Sequence, residues 1–430
     1  MKCNMSYSIG LKHEYRCIQN TITYYRSCVK FLIDIVSMEF YNTTTMTKLE
    51  FQNYIEKCVH NTSSNMAKYP SFDDIFYKFP SYLRRAAISE AIGIVKSYKS
   101  LLQNWELTKQ GKKPHLNRNR AVMPCFFKKN MFEMTGSHSC KIKLYINNDW
   151  KWKEFIMKKS DIDYIRRYFS SLDISPVIEK RNKKYALRFL FQKETKLPEK
   201  VSTVCAVDLG INHDAVCSIL KEDGTVIARK FINYAIEKDH LYRIVNQIKK
   251  AQSKGNRKTP KLWRYADNYN KAICNDTVKD IVCFAAEHDV DCIVCEHLEM
   301  KGKLHGSKKQ KLHLWRKKEI LRKIEARAHR EGMRFTTVSA ARTSKLAYDG
   351  SGEVKRNSNN YSLCTFVTGK QYNCDLNASY NIGARYFIRE KLKTLSESKR
   401  LAIEAKVPEC AKRTDSTLST LISLDAVLSA

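Results

Sequence analysis

Residues 201–232, VSTVCAVDLGINHDAVCSILKEDGTVIARKFI, hold three short apolar runs in close succession. Apolar and β-branched runs bounded by turn formers read as strands. They are expected at about 202–208, 214–220 and 225–232, with Asp223 and Gly224 forming a tight hairpin turn between the last two. An amphipathic helix follows, with Leu241, Ile244, Val245 and Ile248 on one face. Beyond the basic linker SKGNRKTPKLWR, a second helix is expected near 271–288. DVDCIVCEHLEM then reads as a fourth strand ending at Glu296. A basic loop, KGKLHGSKKQK, leads to a helix carrying Leu314, Leu321, Ile324 and Ala328, and MRFTTVSA (333–340) is a fifth strand. Three strands joined by turns, then two separated by helices, predict an α/β sheet that is part antiparallel and part parallel.

The remainder of the chain has a different texture. Residues 14–115 are mainly helical in pattern, and SYLRRAAISEAIGIVKSYKSLLQNW places Leu83, Ala87, Ile92, Val95 and Leu101 on one face. The polar connector TKQGKKPHLNRNR precedes alternating runs such as KIKLYI and KKYALRFLFQ, which predict a β-rich block over about 121–200. KLPEK (196–200) reads as a boundary.

Charge narrows the possible partners. The chain of 430 residues has 77 Lys and Arg against 44 Asp and Glu, a net +33, with 43% hydrophobic residues. Such a folded, strongly basic chain calls for a polyanionic partner. A membrane surface is the weaker choice, because the apolar stretch VKFLIDIVSMEF is broken by Lys30, Asp34 and Ser37. MKCNMSYSIGLKHEYR lacks the apolar core of a signal peptide, so a reducing cytoplasm is expected. There the fifteen cysteines act mostly as small core residues, including Cys292 and Cys295 of the single CxxC.

Three carboxylates stand where apolar or capping residues are usual. Asp208 ends the run VCAVD, Glu296 ends DCIVCE, and Asp375 opens the helical run LNASYNIGARYF. A carboxylate in apolar surroundings needs a partner or a metal. Three together suit hard divalent cations such as Mg2+ or Mn2+ and phosphodiester hydrolysis. Singly, Glu296 also reads as a sheet edge and Asp375 as a helix cap, and Asp208 suits a phosphate-binding hairpin of an actin-like ATPase. That last fold needs a glycine-rich adenosine site, and the 14 glycines form no such cluster.

Taken in order, VDLGIN, IVCEHLEM and DLNASYNIGAR resemble the three split RuvC motifs of the TnpB (OrfB) transposon nucleases and the compact type V CRISPR effectors. Thr343-Ser344-Lys345 resembles the start of that family's zinc-binding insert. The resemblance implies a multidomain α/β protein with an RNase-H-like (RuvC) nuclease domain at 201–340 and 375–392. It further implies a helical recognition domain at 21–120, a β-rich wedge domain at 1–20 and 121–200, an insert at 341–374 and a C-terminal tail at 393–430. Asp208, Glu296 and Asp375 become magnesium ligands of an RNA-guided DNA endonuclease, and Asn377 an orienting group behind them. The implied partners are a guide RNA and target DNA, held by a monomer or by a homodimer on one RNA, in a prokaryotic cytoplasm near the nucleoid. A guided DNA-binding protein without cleavage, or an unguided nuclease of the same fold, are the alternatives.

The insert departs from the family pattern. Where the first CxxC belongs stand Ala347 and Gly350; Cys364 matches one ligand of the second pair, Val367 or Thr368 replaces its mate, and Cys374 is out of register. No histidine lies between 330 and 430, so structural zinc is not expected. Arg342, Lys345, Lys355, Arg356, Tyr348 and Tyr361 offer charge and stacking faces to single-stranded DNA. Trp150, Trp152, Trp263 and Arg264 are further candidates for nucleic-acid grooves, burial being the competing role for each tryptophan. Asp214 is an added candidate carboxylate, or a surface residue at a strand start; His297 is given no role.

Overall fold

A computed structural model describes residues 1–430 apart from 13–14, 42–45, 170–173, 182–183, 211–212, 257, 298–315, 359 and 430. The expected loop 301–311 and Leu314 therefore lie outside the described residues. The chain divides into two compact units, Asn4–Gln192 and Met1–Cys3 with Lys193–Ala430.

The first unit combines helices with two small sheets. Its elements are β1 (Lys2–Leu11), α1 (Tyr15–Glu39), α2 (Lys48–Val59), α3 (Ser71–Ile75), α4 (Ser81–Thr108), β2 (Phe132–Met134), β3 (Ser139–Ile146), β4 (Asp149–Ile156), α5 (Lys159–Tyr168), β5 (Val177–Arg181) and β6 (Lys184–Glu194). One sheet runs β1-β6-β5 and the other is the antiparallel β2-β3-β4. Burial on α4 repeats at three- and four-residue steps through Leu83, Ala87, Ile88, Ala91, Ile92 and Val95. Leu101 leaves that stripe: it is 55% exposed, since the last turns of α4 run past the core. At the end of α1 the buried Glu39 carboxylate accepts from Lys68 Nζ at 2.6 Å, Tyr69 hydroxyl at 2.6 Å and Tyr54 hydroxyl at 2.7 Å. Burial alone would raise its pKa, but these donors outweigh it and lower the value to about 2.

The second unit is built on a five-stranded sheet. Its elements are β7 (Thr203–Asp208), β8 (Ala215–Lys221), β9 (Val226–Ile232), α6 (Ala235–Ser253), α7 (Pro260–Glu287), β10 (Cys292–His297), α8 (Lys317–Arg330), β11 (Arg334–Ser339), β12 (Lys355–Arg356), β13 (Leu363–Thr365), β14 (Gln371–Asn373), α9 (Cys374–Lys393), α10 (Glu397–Lys406) and α11 (Leu418–Ser429). The strand order is β11-β10-β7-β8-β9. β7, β8 and β9 form an antiparallel meander, and β10 and β11 add in parallel. The five expected strands are all present, within one or two residues of their expected bounds.

Alternation on these strands sorts the core into two layers. Val204, Ala206, Val216, Leu220, Cys292 and Val294 pack against α9, while Cys205, Val207, Cys217, Ile219, Ile293 and Cys295 face α7 and α8. Cys292 and Cys295 thus lie on opposite faces of the sheet and cannot share one metal ion. Gly383 lets α9 sit close on the sheet, because a Cβ there would meet Leu220 at 3.0 Å and Ala206 at 3.2 Å. The turn at Asp223 forms as expected, with Gly224 at φ +91 and Thr225 N donating to Asp223 Oδ1 at 2.8 Å.

The segment after 393, which the sequence left as a tail, is part of this core. Leu418, Leu421 and Leu424 of α11 are buried in the α9 layer, and Ile422 packs on Gly224. No helix among the described residues is long and apolar enough to cross a membrane.

Candidate metal centre

Asp208 ends β7 and Glu296 lies near the end of β10. The strands are adjacent, parallel and paired as Cys295 with Val207, so the next residues are Glu296 and Asp208. Both occupy the alternate positions that face α9, continuing Val204–Ala206 and Cys292–Val294. The two carboxyl groups therefore project side by side from the strand ends. α9 brings the third: Asp375 stands in its first turn, where Asn373 Oδ1 accepts from Asp375 N at 3.0 Å and Leu376 N at 2.9 Å.

Their electrostatics show that the three sense one another. Burial, then Glu296 and Asp375, push the Asp208 carboxyl well above its ordinary value, against a smaller opposing pull from Arg356. Glu296 is raised by burial, with Thr343, Arg385 and Lys317 working the other way. Asp375 is raised by burial and eased by His213 and Arg356. Mutual repulsion at a buried spot is the condition a cation relieves. Among the described residues no three His, Cys, Asp or Glu side chains close around a single point. An all-oxygen set of this kind still fits Mg2+, which keeps several waters and takes only one or two carboxylates plus substrate phosphates.

The remaining sequence candidates separate into two groups. Asn377 is fully buried; its Oδ1 accepts from Tyr348 N and its Nδ2 donates to Leu346 O, both at 2.8 Å. Its amide is used to fasten the insert, and no bond to a carboxylate is shown. Asp214 Oδ2 accepts from Tyr234 N at 2.9 Å and Lys238 Nζ at 3.0 Å, holding the start of α6. Trp150 is buried, and Tyr348 packs edge-on against Phe366, Tyr372 and Tyr380. Arg342, at φ +65, pairs with Glu353 at 2.8 Å and Asp415 at 3.6 Å. Lys345, Lys355, Arg356, Trp152, Trp263, Arg264 and Tyr361 are exposed, as is His297. Of these, Arg356 carries its charge to Asp208 and Asp375.

The insert is built around an apolar centre. Cys364 and Cys374 are buried with Ala347 and Phe366, and Tyr348, Val354 and Tyr372 close around them. The two thiols face each other, and Cys364 Sγ donates to Tyr372 O at 3.4 Å. Burial raises both thiols, so neither tends toward the thiolate a metal requires.

Two sets of contacts at this site had no sequence signal, although Thr343 itself stands in the Thr343-Ser344-Lys345 motif. Thr343 donates its hydroxyl to Glu296 Oε1. Arg385 donates to Ser339 O, Ala341 O, Thr414 O and Ser416 O. Both join segments far apart in the chain, which no local pattern reveals.

A sequence-family profile, the Aq_aa04 family, matches residues 5–146, less than half of the chain. No curated protein matches. Among solved structures, the chain is similar to Cas12f1 in a cryo-EM complex with sgRNA and target DNA. The TM-score is 0.54 at 14% identity, over 84% of this chain and 82% of that one. The fold is similar to that of Cas12f1. Alicyclobacillus acidoterrestris C2c1 in complex with single-guide RNA gives a TM-score of 0.46 at 9% identity, over 87% of this chain and 69% of that one. The Cas12i(E894A)–crRNA–dsDNA complex gives 0.41 at 11%, over 97% and 62%.

Proposed function

We propose that the chain is an RNA-guided DNA endonuclease of the compact type V and TnpB kind, cutting at Asp208, Glu296 and Asp375. The observation that carries the reading is that Asp208 and Glu296 end adjacent parallel strands while Asp375 opens the helix packed over them, in a chain of net charge +33. The meander followed by two parallel strands supports reading the second unit as RNase-H-like (RuvC). The partners in the Cas12f1 complex, sgRNA and target DNA, are the polyanions that the charge calls for.

Asp208, Glu296 and Asp375 would hold divalent magnesium or manganese. When bound, such ions activate water and stabilise the charge that develops on a cleaved phosphodiester. The protein groups set the stage for that. Glu296 is buried at its strand end, while Asp208 and Asp375 are partly exposed. Arg356, exposed beside Asp208 and Asp375, offers a cation to a phosphate entering from the insert side. Lys345, Trp263 and Arg264 extend exposed charge and stacking surface over the same unit. Base pairing to a guide would supply sequence selection, leaving the protein to bind backbones. The helical block at 21–120 and the β-rich block at 1–20 and 121–200 would then serve as recognition and wedge domains.

The test is to purify the chain with its RNA, sequence that RNA, and challenge the complex with plasmids that do or do not match it. Magnesium-dependent cutting of the matched plasmid alone is expected. Cutting without a match would make it an unguided nuclease, and tight matched binding without cutting would make it a guided binding protein.

A further inference from the structure

The turn that leaves β11 is held against α9 by two side chains one helical turn apart. Asn381 Nδ2 donates to Thr343 O at 3.0 Å. Arg385 Nη1 donates to Ser339 O at 3.0 Å and Ala341 O at 2.7 Å. Residues at i and i+4 share one helix face, so α9 presents both donors to one stretch of backbone. That stretch, Ser339–Thr343, is pinned at three carbonyls.

Thr343 is the product of this arrangement. It is 2% exposed, and its hydroxyl meets Glu296 Oε1 across the space between β10 and the turn. The one other acceptor shown for the hydroxyl is its own turn's Ala340 O at 3.1 Å. A hydroxyl has one proton, and a carboxylate is the stronger acceptor of the two. The bond restrains which way Glu296 turns, and the backbone that carries Thr343 is itself held by Asn381 and Arg385.

We propose that Thr343 is a positioning residue for Glu296, holding one carboxylate oxygen so that the other stays directed toward Asp208 and a divalent cation. This rests on the proposed metal-dependent function. It assigns to Thr343 a role apart from opening the insert. Partners that orient a metal-binding carboxylate typically change metal affinity or activity about 10- to 100-fold when removed.

The test compares Thr343→Val with Thr343→Ser in the RNA-bound protein. Valine keeps the shape and loses the hydroxyl, whereas serine keeps the hydroxyl. Three quantities are read: matched-DNA cleavage rate, Mn2+ affinity in the absence of DNA by electron paramagnetic resonance, and melting temperature. Thr343→Val is expected to lose about 10- to 100-fold in both cleavage rate and Mn2+ affinity, with matched-DNA binding retained. Thr343→Ser is expected to restore both toward the wild-type values. The proposal is overturned if Thr343→Val matches wild type in Mn2+ affinity. It is equally overturned if valine and serine are impaired alike in step with a lower melting temperature, which marks a packing role. Should wild type bind Mn2+ yet cut no matched DNA, the functional reading fails, while the Mn2+ comparison still decides the role of Thr343.

Discussion

Arg385 Nε donates to the carbonyl of Ser416 at 3.1 Å, joining the helix that carries Asp375 to the C-terminal segment. The same guanidinium reaches Thr414 O at 2.6 Å and the end of β11. Arg385 is 5% exposed and its pKa is lowered to about 10, by burial first, with Glu296 and Asp415 opposing the fall. A buried cation solvated by backbone carbonyls is a structural keystone. Arg385→Met would leave four carbonyls without that donor, and the expected loss is about 3 kcal/mol or more. Urea unfolding of the variant measures it; an unchanged midpoint would contradict the role.

The carboxylate repulsion makes a pH-dependent prediction. A carboxyl with a raised pKa keeps its proton longer in the folded state than in the unfolded one. Its contribution is favourable at low pH and is lost as pH rises through the folded value. Metal-free wild type therefore carries the penalty at pH 8. Asp208→Asn should stabilise the metal-free protein there, with little gain at pH 4. Added Mg2+ should raise the melting temperature of wild type and barely that of the variant. Equal Mg2+ stabilisation of both would count against the centre.

Glu39 gives the opposite sign in the other unit. Its pKa is lowered to about 2, so the stability it supplies is present above its ordinary value of 4.5 and lost as pH falls toward 2. Glu39→Gln should lower stability at pH 7 by about 2 kcal/mol, since it weakens bonds from Lys68, Tyr54 and Tyr69. The difference from wild type should shrink between pH 4.5 and 3, as read by denaturant melts.

The insert should behave as a small apolar core. Cys364→Ala is expected to lower stability by about 1 kcal/mol through lost packing. Elemental analysis of the purified protein should find no stoichiometric zinc, and zinc added after chelation should leave the melting curve unchanged. A bound zinc that Cys364→Ala releases would overturn this account.

How much of this was legible follows from the range of each interaction. β7 and β10 were readable because apolar runs end in single carboxylates, and parallel register then places Asp208 beside Glu296. Asp375 was readable from its position at a helix start. Asn381 and Arg385 reach backbone 29 to 46 residues away, and polar residues on a helix give no hint of such partners; Thr343 was visible as the start of the insert but not as the partner of Glu296, 47 residues away. Asn377 looked like an orienting group but meets the insert backbone, because α9 is covered on that side too. The C-terminal segment was unreadable for a related reason. α11 pairs buried Leu418, Leu421 and Leu424 with the exposed Ile422 and Leu428, so no clean polar face marks it as a packed helix.

The most direct test of the central claim is the cutting of matched DNA by wild type and Asp208→Ala, with DNA binding measured on the same RNA-bound samples. The account predicts magnesium-dependent cutting by wild type, and from Asp208→Ala undiminished RNA and DNA binding with no cutting. Cutting by Asp208→Ala at the wild-type rate would contradict it.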